Sequence, residues 1–271
     1  MSYIECCKYT DYLYNFKEIG KQNPESPKFG YVDAWLYLGS ERAALIDTLD
    51  QAKGLYEEVH KITSLPIDVW ITHGHEDHAG VSLQEFAEHG CTIYMNKKDL
   101  SILPSYDREE WFTDLKDGEI ISLGDRKLKA VSCAGHTMGS MVFVDRENDL
   151  MFSGDTIGSC RIWLQLPHST SLREFRKNLI HLLESTGIIE NLKIYPGHVW
   201  QTLQMPLMRK NLEDLLQGIE MVLDGTAQTK KKILELGEIR VSYEIAAYGS
   251  MEELCFDPKH LYEGTTRRLH F

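Results

Sequence analysis

Thr72-His73-Gly74-His75-Glu76-Asp77-His78-Ala79-Gly80 follows the apolar run 67–71 and precedes residues 81–88, whose apolar spacing is helical. The stretch therefore stands where a buried strand ends and a helix begins. His73, His75, Asp77 and His78 fall within six positions. In extended backbone alternate side chains share a face, so His73 and His75 can reach one divalent ion. Asp77 and His78, at the turn into the helix, can reach a second. Imidazole with carboxylate is a donor set suited to zinc, iron or manganese. The structural alternative is a polar strand end with solvated histidines, and the density of ligand types argues against it.

Outward from this stretch, residues 32–38 and 43–47 read as strands joined by the hairpin signal Gly39-Ser40-Glu41-Arg42. Leu55, Val59 and Ile62 give residues 51–62 a helical face, and 91–95 reads as a strand, so a strand–helix–strand pattern repeats. Downstream, 119–123, 127–132, 141–145 and 150–153 alternate like strands around the turns Gly124-Asp125 and Glu147-Asn148-Asp149. A helix over 172–184, with Phe175, Leu179, Leu182 and Leu183 on one face, leads to a strand at 192–195 and a helix at 207–223. A polar, lysine-bearing link, 224–232, then precedes two short strands, 239–247 and 253–256, and a charged tail. The simplest layering is an α+β domain over 1–271, with two mixed sheets, helices outside them, and a helix and strand extension from about 205.

Three later segments place a metal-binding residue type in a glycine-marked turn beside a strand: Ala134-Gly135-His136-Thr137, Ser153-Gly154-Asp155-Thr156 and Pro196-Gly197-His198. With the first cluster they bring five histidines and two aspartates to strand ends. In order and spacing this resembles the metallo-beta-lactamase superfamily, whose motif is H-x-H-x-D-H followed by separate His, Asp and His residues. The resemblance implies a four-layer αββα sandwich with two divalent ions at one edge of the sheets. It assigns His73, His75 and His136 to the first ion, and Asp77, His78 and His198 to the second, with Asp155 bridging them. Asp47 matches the supporting aspartate behind the ligands. Zinc is the expected metal, with iron or manganese as alternatives. The implied activity is hydrolysis by a metal-bridging hydroxide, with Asp77 orienting the water and carrying a proton.

Departures from the subfamilies narrow the substrate to an ester, thioester or lactone in a small metabolite. Beta-lactamases of this fold generally lack the bridging aspartate, and lactonases often carry tyrosine where Gly158 stands. Glyoxalase II usually has Gly-Gly where this chain has Gly80-Val81, and flavodiiron proteins have Glu at the place of His75. An iron persulfide dioxygenase and a phosphodiesterase of the same superfamily stay open as alternatives. Residues 101–115 and 157–171 are expected to flank the metals, offering Tyr106, Trp111, Phe112, Arg161, Trp163 and His168. Of these, Trp111, Arg161, Trp163 and His168 are the candidate substrate contacts, with packing of the loops as the competing account.

Lys and Arg total 29 against 41 Asp and Glu, a net charge of −12, which disfavours nucleic acid and anionic membranes as partners. A small-molecule substrate and a homodimer fit that balance. Residues 1–7 have neither a basic nor an apolar leader pattern, and no apolar run reaches 18 residues, so a cytoplasmic location is expected. The six cysteines lack C-x-x-C spacing, which signals neither a disulfide framework nor a thiolate zinc site. Most are expected to be buried, with Cys6-Cys7 pointing one in and one out of a strand.

Overall fold

The computed structural model describes residues 3–19, 32–103, 109–158, 161–199, 206–236, 239–249 and 252–262. The β-branched and aromatic runs of the first half form one seven-stranded sheet. Its strands are β1 (Tyr3–Lys8), β2 (Leu13–Ile19), β3 (Asp33–Leu38), β4 (Ala43–Ile46), β5 (Ile67–Trp70), β6 (Thr92–Met95) and β7 (Phe112–Asp114), neighbours in that order. The first four run antiparallel, and β4 to β7 are parallel. Parallel neighbours need crossovers, and α1 (Leu55–His60) and α2 (Ser82–Glu88) supply the first two.

The second sheet contains β8 (Ile120–Ser122), β9 (Lys127–Ser132), β10 (Met141–Asp145), β11 (Leu150–Gly154), β13 (Lys193–Pro196) and β14 (Leu207–Met208), in the spatial order β14-β13-β11-β10-β9-β8. Strand alternation gives each sheet two apolar faces. Trp35, Tyr37 and Trp70 of the first sheet meet Met141, Phe143 and Phe152 of the second in the central layer. On the far side of the first sheet, Leu36, Leu45, Val69 and Ile93 are covered by Leu55 and Val59 of α1 and Leu83 and Phe86 of α2. On the far side of the second, Val131, Val142, Met151 and Ile194 are covered by α3 (Leu172–Thr186) through Phe175, Leu179 and Leu182, and by α4 (Arg209–Leu223) through Leu215 and Ile219. The result is the four-layer αββα sandwich of an α+β protein.

A third, four-stranded sheet runs β12 (Arg161–Leu164), β17 (Glu252–Phe256), β16 (Ile239–Tyr248), β15 (Thr229–Leu236). Two sequence expectations are corrected here. Residues 157–171 are not simply a loop, because β12 pairs in parallel with β17. The polar link expected over 224–232 turns into β15, a sheet edge where exposed Lys230, Lys231 and Lys232 keep other strands from adding. One face of this sheet joins the α3–α4 cluster through Ile162, Leu164, Leu254 and Phe256, while Leu234, Tyr243, Ile245 and Cys255 form a separate cluster with Trp163 and Leu166. Strand β2 was not legible as a strand; Cys6-Cys7 does lie on one, β1, but β1 is an edge strand, so Cys6 is exposed and Cys7 is only half-buried rather than fully turned in. Cys133 and Cys255 are buried, Cys91 is half-buried, and Cys160 lies outside the described residues. No helix among the described residues is long and apolar enough to cross a membrane.

Candidate metal centre

Strands β9 and β11 both run antiparallel to β10, and β11 is parallel to β13, so three strands of the second sheet end at the same edge. Beyond those ends lie His136, Asp155 and His198. In the first sheet, β4 and β5 are parallel and lead into Asp47 and His73. The two edges are tied across the sandwich: Met141 N donates to Thr72 O, Asp33 N to Gly197 O (both 2.8 Å), and Trp35 Nε1 to Pro196 O at 3.0 Å. All seven side chains singled out by the sequence therefore converge.

They fall into two groups with Asp155 between them. His73, His75 and His136 form one trio, Asp77, His78 and His198 another, and His73, His78 and Asp155 a third that overlaps both; within each the donor atoms lie within 4.8 Å of one another. His75 Nδ1 and His136 Nε2 are 2.9 Å apart. Asp155 Oδ2 stands 3.7 Å from His136 Nε2 and 3.4 Å from His198 Nε2, and Oδ1 lies 3.4 Å from His78 Nε2. Asp77 Oδ2 is 3.4 Å from His198 Nε2, and its side chain, 41% exposed, is more open than that of Asp155 at 17%. Gly197 permits this closeness, since a Cβ there would strike the His78 ring.

The remaining hydrogen bonds decide which atoms face inward. His136 Nδ1 lies 2.7 Å from Trp163 O, an acceptor, so it donates there and leaves the Nε2 lone pair for the cluster. His78 Nδ1 donates to Asp47 Oδ2 at 2.8 Å, freeing Nε2 in the same way. Asp47, at a backbone φ of 60° that aspartate tolerates better than most residues, also accepts from Thr72 N at 2.7 Å and Thr72 Oγ1 at 2.8 Å. One carboxylate thus orients both the His73 approach and His78. His73 Nε2, His78 Nε2 and Asp155 Oδ1 are buried without a hydrogen-bond partner among the described residues. Buried polar atoms of this kind are costly unless something binds them. Imidazole nitrogens and carboxylate oxygens converging in the interior are a donor set that fits divalent cations.

The two groups differ in charge. Burial, together with the other imidazoles, holds His73 well below the ordinary histidine value and pushes His75 down to about 3. At the second group burial also opposes charge, but Asp77, Asp155 and Asp47 outweigh it and raise His78 to about 10. His198 is raised as well, by Asp155 and Asp77 against the same desolvation. Reciprocally, His78 and His198 overcome desolvation and hold Asp77 and Asp155 below the usual carboxylate range.

The candidate substrate contacts are placed unevenly. Trp163 lies on β12 beside His136, and its ring joins the third sheet's cluster. Half-buried His168 has a φ of 71°, in a loop where Ser169 Oγ donates to His136 O (2.9 Å) and Thr170 N to Gly135 O (2.8 Å), so this loop backs the histidine. Arg161, offered by the sequence to a substrate carboxylate, is instead bound to Glu253 through Nε at 2.8 Å and Nη2 at 2.6 Å. Trp111 packs on the outer cluster beneath α1 and α2, and Phe112 is buried there in β7, so neither is drawn to the histidines. Tyr106 lies outside the described residues. The sequence reading missed the Trp163 carbonyl, the Thr72 hydroxyl and Asp99; none has a local signal beyond its residue type.

Residues 27–217 match the family model described as the metallo-beta-lactamase superfamily. The acyl-coenzyme A thioesterase MBLAC2 of Gallus gallus is 28% identical over 204 residues, 60% of this chain and 71% of that protein. A hydroxyacylglutathione hydrolase of Hyphomonas neptunium is 32% identical over 119 residues, 44% of each chain. Among solved structures, a metallo-beta-lactamase from Pontibacter korlensis superposes with a TM-score of 0.62 at 15% identity, covering 80% of this chain and 99% of that one.

Proposed function

The chain belongs to the metallo-beta-lactamase superfamily, and from that premise we propose that it is a dinuclear metallohydrolase cleaving the thioester of an acyl-coenzyme A or a related small acyl thiol. The observation that carries the reading is the convergence of two ligand groups on Asp155, combined with relatives whose named activities are both thioester hydrolyses. His73, His75 and His136 would hold one ion and Asp77, His78 and His198 the other, with zinc as the proposed metal. Bound there, two divalent ions supply a water of lowered pKa and a Lewis acid for the acyl carbonyl.

The chain's own groups do the rest. Asp77, the more solvent-open carboxylate of the set, keeps Oδ2 toward His198, and its other oxygen, Oδ1, takes the proton released as water adds to the acyl carbon. The C–S bond then breaks, and the thiolate needs no strong acid to leave. Asp47 and the Trp163 carbonyl fix the ring orientations of His78 and His136 throughout. Phosphodiester cleavage calls for cations around the phosphoryl oxygens. Among the described residues of 157–171, Arg161 is already neutralised by Glu253, which favours the acyl substrate.

The test compares an acyl-coenzyme A, a p-nitrophenyl ester, a lactone and bis(p-nitrophenyl) phosphate on one zinc-loaded preparation, with Asp77→Ala as background. Thioester turnover should lead and should collapse in the variant. Preferential phosphodiester turnover lost in the same variant would move the protein to a phosphodiesterase reading.

A further inference from the structure

Asp99 belongs to neither ligand group, yet both loops of the three-histidine trio close on it. It sits in the 3-10 turn Lys97–Ile102 after β6 and is 1% exposed. Its Oδ2 accepts from Gly74 N at 3.0 Å, between His73 and His75. The same oxygen accepts from Thr137 Oγ1 at 2.6 Å, and Oδ1 accepts from Gly139 N at 2.6 Å, both just beyond His136. One loop comes from the first sheet and the other from the second. Both are glycine-marked where they touch: a Cβ at 74 would strike the Asp99 backbone, and one at 139 its carboxylate. Three donors on a buried carboxylate make charge-assisted bonds of the stronger kind. Thr137 Oγ1 is itself fixed by Ser140 Oγ at 2.7 Å.

We propose that Asp99 is a positioning residue that sets the spacing between the His73–His75 loop and the His136 loop, and so gives the three-histidine group its metal affinity. The inference rests on the metal centre proposed above. A tetrahedral ion demands that three nitrogens from two sheets meet within tenths of an ångström of their ideal places, and backbone ties near the sheet interior leave the loop tips free to part. Asp99 joins the tips directly. The second group, built from Asp77, His78 and His198, receives no hydrogen bond from it among the described residues.

Metal-free wild type, Asp99→Asn and Thr137→Val would be titrated with cobalt(II), reading visible ligand-field absorption and bound metal after dialysis. His75→Ala and His198→Ala supply reference spectra for each group alone. Asp99→Asn should weaken the three-histidine group about ten-fold or more while leaving the other within about two-fold. Thr137→Val, which removes one donor and keeps the shape, should weaken the same group to a smaller extent. Should Asp99→Asn not fold, Thr137→Val decides alone. Wild type that never binds two ions would overturn the metal centre itself. Wild type with two ions and variants of unchanged affinity would overturn only the role of Asp99. Equal weakening of both groups, with a lowered metal-free unfolding midpoint, would assign Asp99 to general stability and overturn the proposal equally.

Discussion

Asp155 is the side chain shared by the two groups, lying 3.7 Å from His136 Nε2 and 3.4 Å from His198 Nε2. Asp155→Ala is accordingly expected to lower metal content and thioester turnover together, with metal affinity falling about 100-fold; retention of two ions and full turnover would remove it from the bridging position. The neighbouring histidines make a second prediction, for the metal-free protein. His78 rises from 6.5 to about 10 on folding, so its contribution to stability is fully present below pH 6.5 and is lost as pH climbs toward 10. Asp77 and Asp155 are depressed from 3.8, so theirs is present above that value and lost as pH falls through the folded values. His73 and His75 are shifted the other way from His78, so each costs stability as pH falls below 6.5, where the unfolded chain takes up protons that the folded one refuses. Denaturant unfolding in chelator should therefore show greatest stability near pH 6.5, with a decline toward about pH 4 on one side and about pH 9 on the other. Because ligands bind metal deprotonated, zinc added at pH 7 should release about two protons per chain, from His78 and His198, measurable in weak buffer with an indicator dye.

Elements were legible wherever their own residues carried the signal. Strand β5 and α2 bracket the histidine stretch with an apolar run and a helical face, so His73 to His78 and the end of β4 at Asp47 could be placed from local pattern. Strands β12 and β15 could not. Residues Arg161 and Glu253, joined across β12 and β17, are 92 positions apart, and nothing near Trp163 marks its carbonyl as a histidine partner. Asp99 has the same difficulty, since its three donors come from two remote loops and its own turn shows only an Asn96 cap. Helix α3 is the opposite case: Phe175, Leu179 and Leu182 recur at helical spacing, and all are fully buried on the second sheet. Leu179→Ala should cost about 2–5 kcal/mol in equilibrium unfolding while zinc stoichiometry stays unchanged, because the helix covers the sheet face rather than the strand ends.

At the scale of the whole molecule the net charge of −12 opposes a phosphate-bearing substrate. Raising ionic strength from 0.01 to 0.15 M shortens the screening length from about 30 to about 8 Å, so kcat/KM for an acyl-coenzyme A should rise severalfold. The uncharged N-acetylcysteamine thioester of the same acyl group should be indifferent. A fall with salt would instead show local capture by cations, for which exposed Lys230, Lys231 and Lys232 are available. The distribution of ligands between sheets carries a further consequence, for the order of events in a newly made chain. Each trio draws on both halves of the sandwich: His73 and His75 wait for His136, and Asp77 and His78 for His198. While the ribosome is still extending the chain, the first sheet's histidines are ligands without a complete pocket, able to hold metal only loosely and without selectivity. Correct loading therefore follows closure of the two halves, and any chain cut short before His198 is left with half a clasp.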